Sequence, residues 1–211
     1  MLLLQRLFYD TNLLYQSIVS LIYIPILIQG IGDSGYGLYQ LIASVIAYFA
    51  MMEAPMSAAI VRFYSEYLER KEYKKAENVL GIGKRINIIL SILLACVSVP
   101  CFFIIRYVYN QSLTPAEINE ASAMFGVMII NVIVLLNNYV YIAALTAKEK
   151  YVFIKGLAIV VQVLQPVCVC LVIEEYPYAL MVVLIQVALN IVASIIRKYY
   201  AIKKVNIVII N

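Results

Sequence analysis

Long apolar runs separated by short polar segments recur along the chain. They lie at about residues 12–29, 38–61, 86–108, 122–145, 152–173 and 179–199. A helix that crosses a bilayer needs about 20 mostly apolar residues, and each run is close to that length. The runs are unbroken, whereas a transmembrane β-barrel requires alternation with a two-residue period. The pattern predicts an all-α integral membrane protein in which residues 1–211 form a single lobe of six transmembrane helices.

Composition supports a membrane location. Hydrophobic residues make up 64% of the chain, charged residues 13%, and the mean hydropathy is +0.93. Soluble domains are about 45–50% apolar and about 25% charged, so a soluble fold could not bury this much apolar surface. The N-terminus does not read as a secretory signal peptide. Asp10, Asn12 and Gln16 interrupt its apolar stretch, and no small-residue cleavage pattern follows.

The positive charges are distributed unevenly between the connecting segments. All lysines and arginines except Arg106 fall at the N-terminus, after the second and fourth spans, or at the C-terminus. The other segments carry the acidic residues Asp33, Glu117, Glu120, Glu174 and Glu175. Because positive residues accumulate on the cytoplasmic side, this asymmetry predicts that both termini are cytoplasmic. The same asymmetry accounts for the net charge of +4, so this charge does not call for a nucleic-acid partner.

The segment at residues 62–85 is the one long cytoplasmic connection in this topology. Positive and negative residues alternate along it at helical spacing, as in the pair Glu66 and Arg70. We expect a solvated helical extension followed by a turn at Gly81–Gly83. A polybasic lipid-binding patch is the alternative, but the interleaved glutamates would weaken its attraction for anionic lipid.

The sequence lacks the common signatures of catalysis. It has no Walker-type phosphate loop and no cluster of paired acids that would hold metal for phosphoryl transfer. Histidine is absent, and all four cysteines fall inside predicted spans without zinc-ligand spacing. We therefore expect no enzyme activity, no cofactor and no metal site, with the cysteines serving as small buried apolar residues.

Polar residues in the spans fall on stripes when they are placed at 100° per residue. Such stripes either line a shared cavity or form hydrogen bonds between packed helices. Stripes on all six spans favour a cavity. The candidate cavity-lining residues are Asn12, Gln16, Gln40, Ser44, Asn131, Asn138, Gln162, Gln186 and Asn190.

The second span also contains an acid, a proline and an arginine. Pro55 removes a backbone donor, so we expect a helix kink there. A carboxylate at the depth of Glu53 costs about 2.5–3.5 kcal/mol to insert, which calls for a hydrogen-bonding neighbour or a coupling role for a proton or cation. Arg62 ends the span. It either extends to the headgroups or binds an anionic phosphate, which a guanidinium contacts with two parallel hydrogen bonds.

The stretch from Gly32 to Tyr67 resembles the first loop and second helix of polysaccharide and oligosaccharide flippases of the multidrug/oligosaccharidyl-lipid/polysaccharide exporter superfamily. Tyr36-Gly37-Leu38-Tyr39 matches the end of the family's outer loop, and Glu53 with the segment Ser57–Phe63 matches the helix. The segment Ala143–Leu157 is similar to the loop after the fourth helix, and Gln165-Pro166 fits the fifth. This chain has Glu53 where the family usually has Asp, and Pro55 where it often has Gly. The resemblance extends over the first of the family's two six-helix lobes.

The resemblance implies a transporter that flips a polyprenyl-diphosphate-linked glycan across the bacterial cytoplasmic (inner) membrane for surface polysaccharide or O-antigen biosynthesis. Arg62 would contact the diphosphate, and membrane lipid would surround the protein. A second lobe or a homodimer partner would complete the cavity. Two other functions stay open at this point. One is a cation-coupled drug or small-molecule exporter of the same superfamily that uses Glu53. The other is a membrane scaffold subunit that transports nothing.

Overall fold

The chain is all-helical wherever its secondary structure is described. The computed structural model describes the backbone of residues 2–51, 54–108, 113–207 and 209, and the side chains from residue 21 onward except at positions 22, 49, 50, 54, 105, 106 and 108 within these ranges. The helices are α1 (Leu2–Met51), α2 (Ala54–Glu69), α3 (Tyr73–Val108), α4 (Pro115–Ala147), α5 (Tyr151–Ile173) and α6 (Ala179–Lys203). These bounds confirm the predicted helical class.

The first two predicted spans are joined by a single bent residue instead of a loop. Gly32 lies at φ 75° and ψ 167°, a conformation that is essentially restricted to glycine, and α1 changes direction there. Tyr23 and Tyr39, which flank this bend, both pack against one cluster formed by Leu27, Val169, Ile173 and Val182. A straight helix would hold the two tyrosines about 24 Å apart, so the bend at Gly32 brings them together.

The expected turn at Gly81–Gly83 is wrong. The chain reverses earlier, at Lys71, whose φ is 58°, and both glycines lie inside α3. A Cβ at Gly83 would lie 2.7 Å from Cδ1 of Ile60 on α2 and 3.8 Å from Cγ2 of Val140 on α4. Gly83 therefore allows close approach of three helices.

The fourth helix is the centre of the lobe, because it contacts every other helix. Its first turn is fixed by a capping box, in which Thr114 Oγ1 accepts from the main-chain N–H of Glu117 and the Glu117 carboxylate accepts from the N–H of Thr114. A large apolar cluster joins α4 to α1, α3 and α6, with Met124, Phe125 and Ile42 almost fully buried.

The two ends of the lobe differ in charge, as the sequence predicts. At one end Ser34 donates to the carboxylate of Glu117, and Glu120 Oε1 accepts from the N–H of Leu180 at 3.0 Å. At the other end, the basic end, Lys148 Nζ donates to the main-chain oxygen of Val205 at 2.9 Å. Which end faces the cytoplasm stays a prediction.

Four helical segments in the described part of the chain are long and apolar enough to cross a membrane. They are Tyr73–Ile104, Pro115–Ala147, Tyr151–Ile173 and Ala179–Lys203. These correspond to the third to sixth predicted spans and indicate a multi-pass membrane protein. The first two predicted spans lie in α1 and α2, and each contains residues whose side chains are outside the description.

Candidate functional site

The second half of α1 has two unlike faces. Leu38, Ile42 and Ile46 are buried against the rest of the lobe. The opposite face, which we call the outer polar face, is exposed and consists of Gly37, Gln40, Ser44, Ala47 and Tyr48. Gln40, Ser44 and Tyr48 are its hydrogen-bonding residues. Met51, which is 73% exposed one turn beyond Ala47, continues the face with an apolar side chain.

Among the described residues, the hydrogen bonds of Gln40 and Ser44 stay within α1. Gln40 Nε2 donates to the hydroxyl of Tyr36 at 2.6 Å, and Ser44 Oγ donates to the main-chain oxygen of Leu41 at 2.8 Å. The predicted cavity residues Gln40 and Ser44 thus point away from the lobe, and they do not help to hold it together.

The exposed faces of three other helices have the opposite character. Ile92 on α3, Leu171 on α5 and Ile195 on α6 are 60%, 75% and 62% exposed. Aliphatic side chains at such positions suit lipid tails. The outer polar face thus differs from all three in carrying the amide of Gln40 and the hydroxyl of Ser44.

The signature residues of the second predicted span are only partly described. Arg62 is exposed on α2, and its guanidinium lies 6.0 Å from the ring centre of Phe63. Pro55 is the second residue of α2, where a missing N–H costs no helix hydrogen bond. Glu53 lies outside the described residues, so the coupling role and the kink stay predictions.

Several other candidate cavity residues join helices inside the lobe. Asn190 Nδ2 on α6 donates to Asn131 Oδ1 on α4 at 3.2 Å, and the hydroxyl of Tyr39 donates to Gln186 Oε1 at the same distance. Asn87 on α3 likewise donates to the main-chain oxygen of Leu136 on α4 at 2.7 Å. These contacts are the helix-packing hydrogen bonds that the sequence left as the alternative.

The remaining candidates differ in how much can be said of them. Gln162 on α5 is partly buried, and its Oε1 has no hydrogen-bond partner in the described structure. Asn12 and Gln16 lie on α1, but their side chains are outside the description.

A cleft of about 420 Å³ opens between α3, α4 and α6 towards the basic end. We call it the basic cleft. Its polar lining is Lys84, Asn137, Asn138, Tyr141, Ser194 and Lys198, and Ile133, Ile191 and Ile209 are among its apolar lining residues. Asn138 is the one candidate cavity residue among them. The cleft combines two cations with hydrogen-bonding groups and an aliphatic wall.

Two buried polar atoms belong to side chains that line this cleft. Asn138 is 5% exposed and Ser194 is 6% exposed. Asn138 Nδ2 donates to the main-chain oxygen of Ser194 at 2.8 Å, but Asn138 Oδ1 and Ser194 Oγ have no partner in the described structure. Buried polar atoms are normally satisfied, so this pair is a departure that needs a cause.

The C-terminal segment forms one wall of the cleft through Ile209. It is held by the bond from Lys148 to Val205 and by the N–H of Ile207, which donates to the oxygen of Ala201 at 3.0 Å. Partial burial lowers the pKa of the Lys148 ammonium below its usual value, and the neighbouring charge of Lys150 lowers it further.

Sequence reasoning missed both lysines of the cleft because it counted them only as topology signals. A signal was available. Lys198 lies one turn beyond Ser194 on the face of α6 that also carries Asn190. Lys84 lies one turn before Asn87 on the face of α3 that also carries Ser91. Each lysine therefore continues a polar face that leads towards the basic end.

Comparisons with known protein families, curated proteins and solved structures found no match to this chain. Among the residues that the structure describes, no group of histidine, cysteine, aspartate or glutamate is arranged to hold a metal ion.

Proposed function

We propose that this chain is one lobe of a transporter that flips polyprenyl-diphosphate-linked oligosaccharide from the cytoplasmic to the outer leaflet of a bacterial cytoplasmic membrane. The observation that carries the proposal is the outer polar face of α1. Hydrocarbon would leave Gln40 and Ser44 poorly solvated, whereas a water-filled route would solvate them. The sequence resemblance of residues 32–67 supplies the class of cargo.

In this proposal the outer polar face lines a route that is shared with a second lobe or a second copy of the chain. A glycan passes such a surface by exchanging hydrogen bonds with amide and hydroxyl side chains, while its lipid tail stays in the bilayer. Arg62, exposed on α2, has the charge and geometry to hold the diphosphate. Rocking of two lobes around the bound headgroup would give alternating access.

The test uses cells in which the gene is deleted and replaced by variants. Surface polysaccharide and the pool of lipid-linked oligosaccharide are measured together. Arg62→Ala should lower export and enlarge the lipid-linked pool, and Arg62→Lys should retain part of the export. Arg70→Ala is the matched control, because Arg70 is exposed and pairs with Glu66 at 2.7 Å on the surface.

Two results would contradict the proposal at different levels. If both Arg62 variants exported at the wild-type rate, the phosphate role of Arg62 would be wrong. If deletion of the gene itself left the surface polysaccharide and the lipid-linked pool unchanged, the flippase function would be wrong.

A scaffold function is the second candidate, and the buried asparagines favour it. The bonds from Asn190 to Asn131 and from Asn87 to Leu136 show polar residues engaged in helix packing. However, a scaffold function requires no water-exposed face. The scaffold hypothesis therefore does not explain why Gln40 and Ser44 are exposed. Water access to that face separates the two candidates.

A further inference from the structure

We propose that the basic end of α5 and α6 binds the headgroups of anionic phospholipids in the bilayer leaflet that this end faces. The surface consists of five exposed lysines, which we call the lysine band: Lys150, Lys155, Lys198, Lys203 and Lys204. The inference goes beyond the transport proposal and does not depend on it, because lipid binding is measured on the isolated chain.

The lysine band carries positive charge that nearby acids do not compensate. The segments 148–155 and 197–204 contain seven basic residues and one acidic residue, Glu149. Within the part of the chain that the structure describes, no lysine of the band forms an ion pair or a side-chain hydrogen bond. The charge of the band is therefore available to an external anion.

The stacked rings of Phe153 and Tyr200 fix how α5 and α6 lie side by side. Their ring centres are 3.7 Å apart, and the angle between the ring planes is 11°. At 1.5 Å per residue, every lysine of the band lies within about 6 Å of these rings along the helix axis. The five lysines thus project from the lobe at nearly the same depth.

Exposed apolar side chains lie at the same level as the lysines. Val152 on α5 is 77% exposed, and Tyr199 and Ile202 on α6 are 62% and 42% exposed. At the edge of a bilayer, a lysine packs its methylenes along apolar surface and extends its ammonium among the headgroups, where tyrosine also accumulates. Headgroups and hydrocarbon meet at this level, so the mixture favours a lipid over a soluble polyanion, which offers no hydrocarbon.

The turn between α2 and α3 lies at the same end of the lobe and has a different charge pattern. Residues 66–77 contain four basic and four acidic residues. Two of the basic residues are paired, Arg70 with Glu66 at 2.7 Å and Lys75 with Glu72 at 2.8 Å. This turn therefore has no net charge with which to attract an anionic leaflet.

The same turn also lies at a different level. Lys74 is eight residues, or about 12 Å, before Ile82, the first exposed aliphatic residue of α3. The headgroup layer is about 5–8 Å thick, so Lys74 and the preceding Lys71 project beyond it. These two exposed lysines are a matched control for the lysine band.

The test compares two phospholipids with identical acyl chains, phosphatidylglycerol, which is anionic, and phosphatidylcholine, which is zwitterionic. The full chain is purified in detergent and mixed with equal amounts of both, and native mass spectrometry measures the ratio of the retained lipids. We expect the wild-type chain to prefer phosphatidylglycerol. Lys155→Gln with Lys203→Gln should lower the ratio by about fivefold for each lysine removed.

Two further variants separate the position of the charge from its amount. Lys71→Gln with Lys74→Gln also removes two exposed lysines, but it leaves the lysine band intact, so the ratio should stay at the wild-type value. Lys155→Arg with Lys203→Arg keeps both charges in the band and should also keep the ratio.

Three outcomes would overturn the proposal. An equal fall of the ratio in the band pair and the control pair would show that net charge selects the lipid and the band does not. A ratio that neither pair changes would exclude the band as the binding surface. Binding of a soluble poly-glutamate peptide that the band pair abolishes, with no headgroup preference in the wild-type chain, would assign the surface to an acidic protein partner.

Discussion

A hydrogen bond between Asn138 on α4 and Ser194 on α6 joins the two helices. Asn138 Nδ2 donates to the main-chain oxygen of Ser194 at 2.8 Å. The hydroxyl of Ser194 takes no part in this bond. The side chain of Ser194 can therefore be changed without loss of the interhelical hydrogen bond.

Asn138→Leu should destabilise the lobe, and Ser194→Ala should not. Hydrogen bonds between membrane helices contribute about 0.6 kcal/mol on average and about 1.7 kcal/mol at most, so we expect a loss in that range for Asn138→Leu. Ser194→Ala removes an unpaired hydroxyl and should change the free energy of unfolding by less than about 0.5 kcal/mol. Reversible unfolding in lipid–detergent mixtures measures both. Equal losses would mean that the Asn138 bond contributes nothing specific.

Close contact between α1 and α5 depends on Gly30. A Cβ at this position would lie 2.7 Å from Cγ1 and 3.3 Å from Cγ2 of Ile173, which is itself buried. Gly30→Ala should therefore lower the free energy of unfolding by about 1–3 kcal/mol, the usual cost of overpacking. Ile173→Val in the same chain should recover part of this loss, since it shortens the clashing side chain. Gly37→Ala is the control, because nothing lies within 4 Å of its added Cβ.

The bend at Gly32 should be sensitive to substitution for a different reason. No atom lies within 4 Å of a Cβ built there, so the cost of Gly32→Ala comes from the backbone conformation alone. We expect about 1–3 kcal/mol of destabilisation. Unlike the loss at Gly30, it should not be recovered by Ile173→Val. Recovery by that change would show that packing, and not the positive φ, makes glycine necessary at position 32.

Lys148 should lose its proton at a lower pH than an ordinary lysine. Its folded-state pKa lies below the usual 10.5 because of burial and then Lys150, so the unfolded chain binds more protons between the two values. Stability from this group therefore rises with pH across that window. The pH dependence of amine labelling, followed at Lys148 by peptide mass spectrometry, gives the midpoint. A midpoint at or above 10.5 would contradict the burial effect.

The helix pattern was predictable because apolar run length depends on local sequence alone. The predicted span at 152–173 agrees with α5 (Tyr151–Ile173) to within one residue. The predicted span at 179–199 starts with α6, which continues four residues further, to Lys203. The turn assigned to Gly81–Gly83 was not predictable in this way. A glycine can end a helix or let helices approach closely, and only the positions of Ile60 and Val140 decide between the two.

The sequence predicts which polar residues share a helix face, but it does not predict which residues of other helices they contact. A helical wheel places Gln40 with Ser44, and Asn190 with Ser194, on common faces. It does not say that the first pair points outward while Asn190 reaches Asn131 inside the lobe, because that depends on what packs beside each helix. The cleft lined by Lys84 and Lys198 could not be predicted for the same reason, because three helices that are far apart in sequence form it.

Water access to the outer polar face tests the transport account most directly. Single cysteines are introduced at Ser44 and, as a control, at Leu93, in a chain whose four native cysteines have been replaced. Leu93 is 53% exposed on α3, beside the exposed Ile92. Reaction with a water-soluble thiol reagent is then followed in intact membranes. We expect rapid labelling at Ser44 and slow labelling at Leu93. Slow labelling at both positions would contradict a solvated route along α1 and leave the scaffold function as the better interpretation.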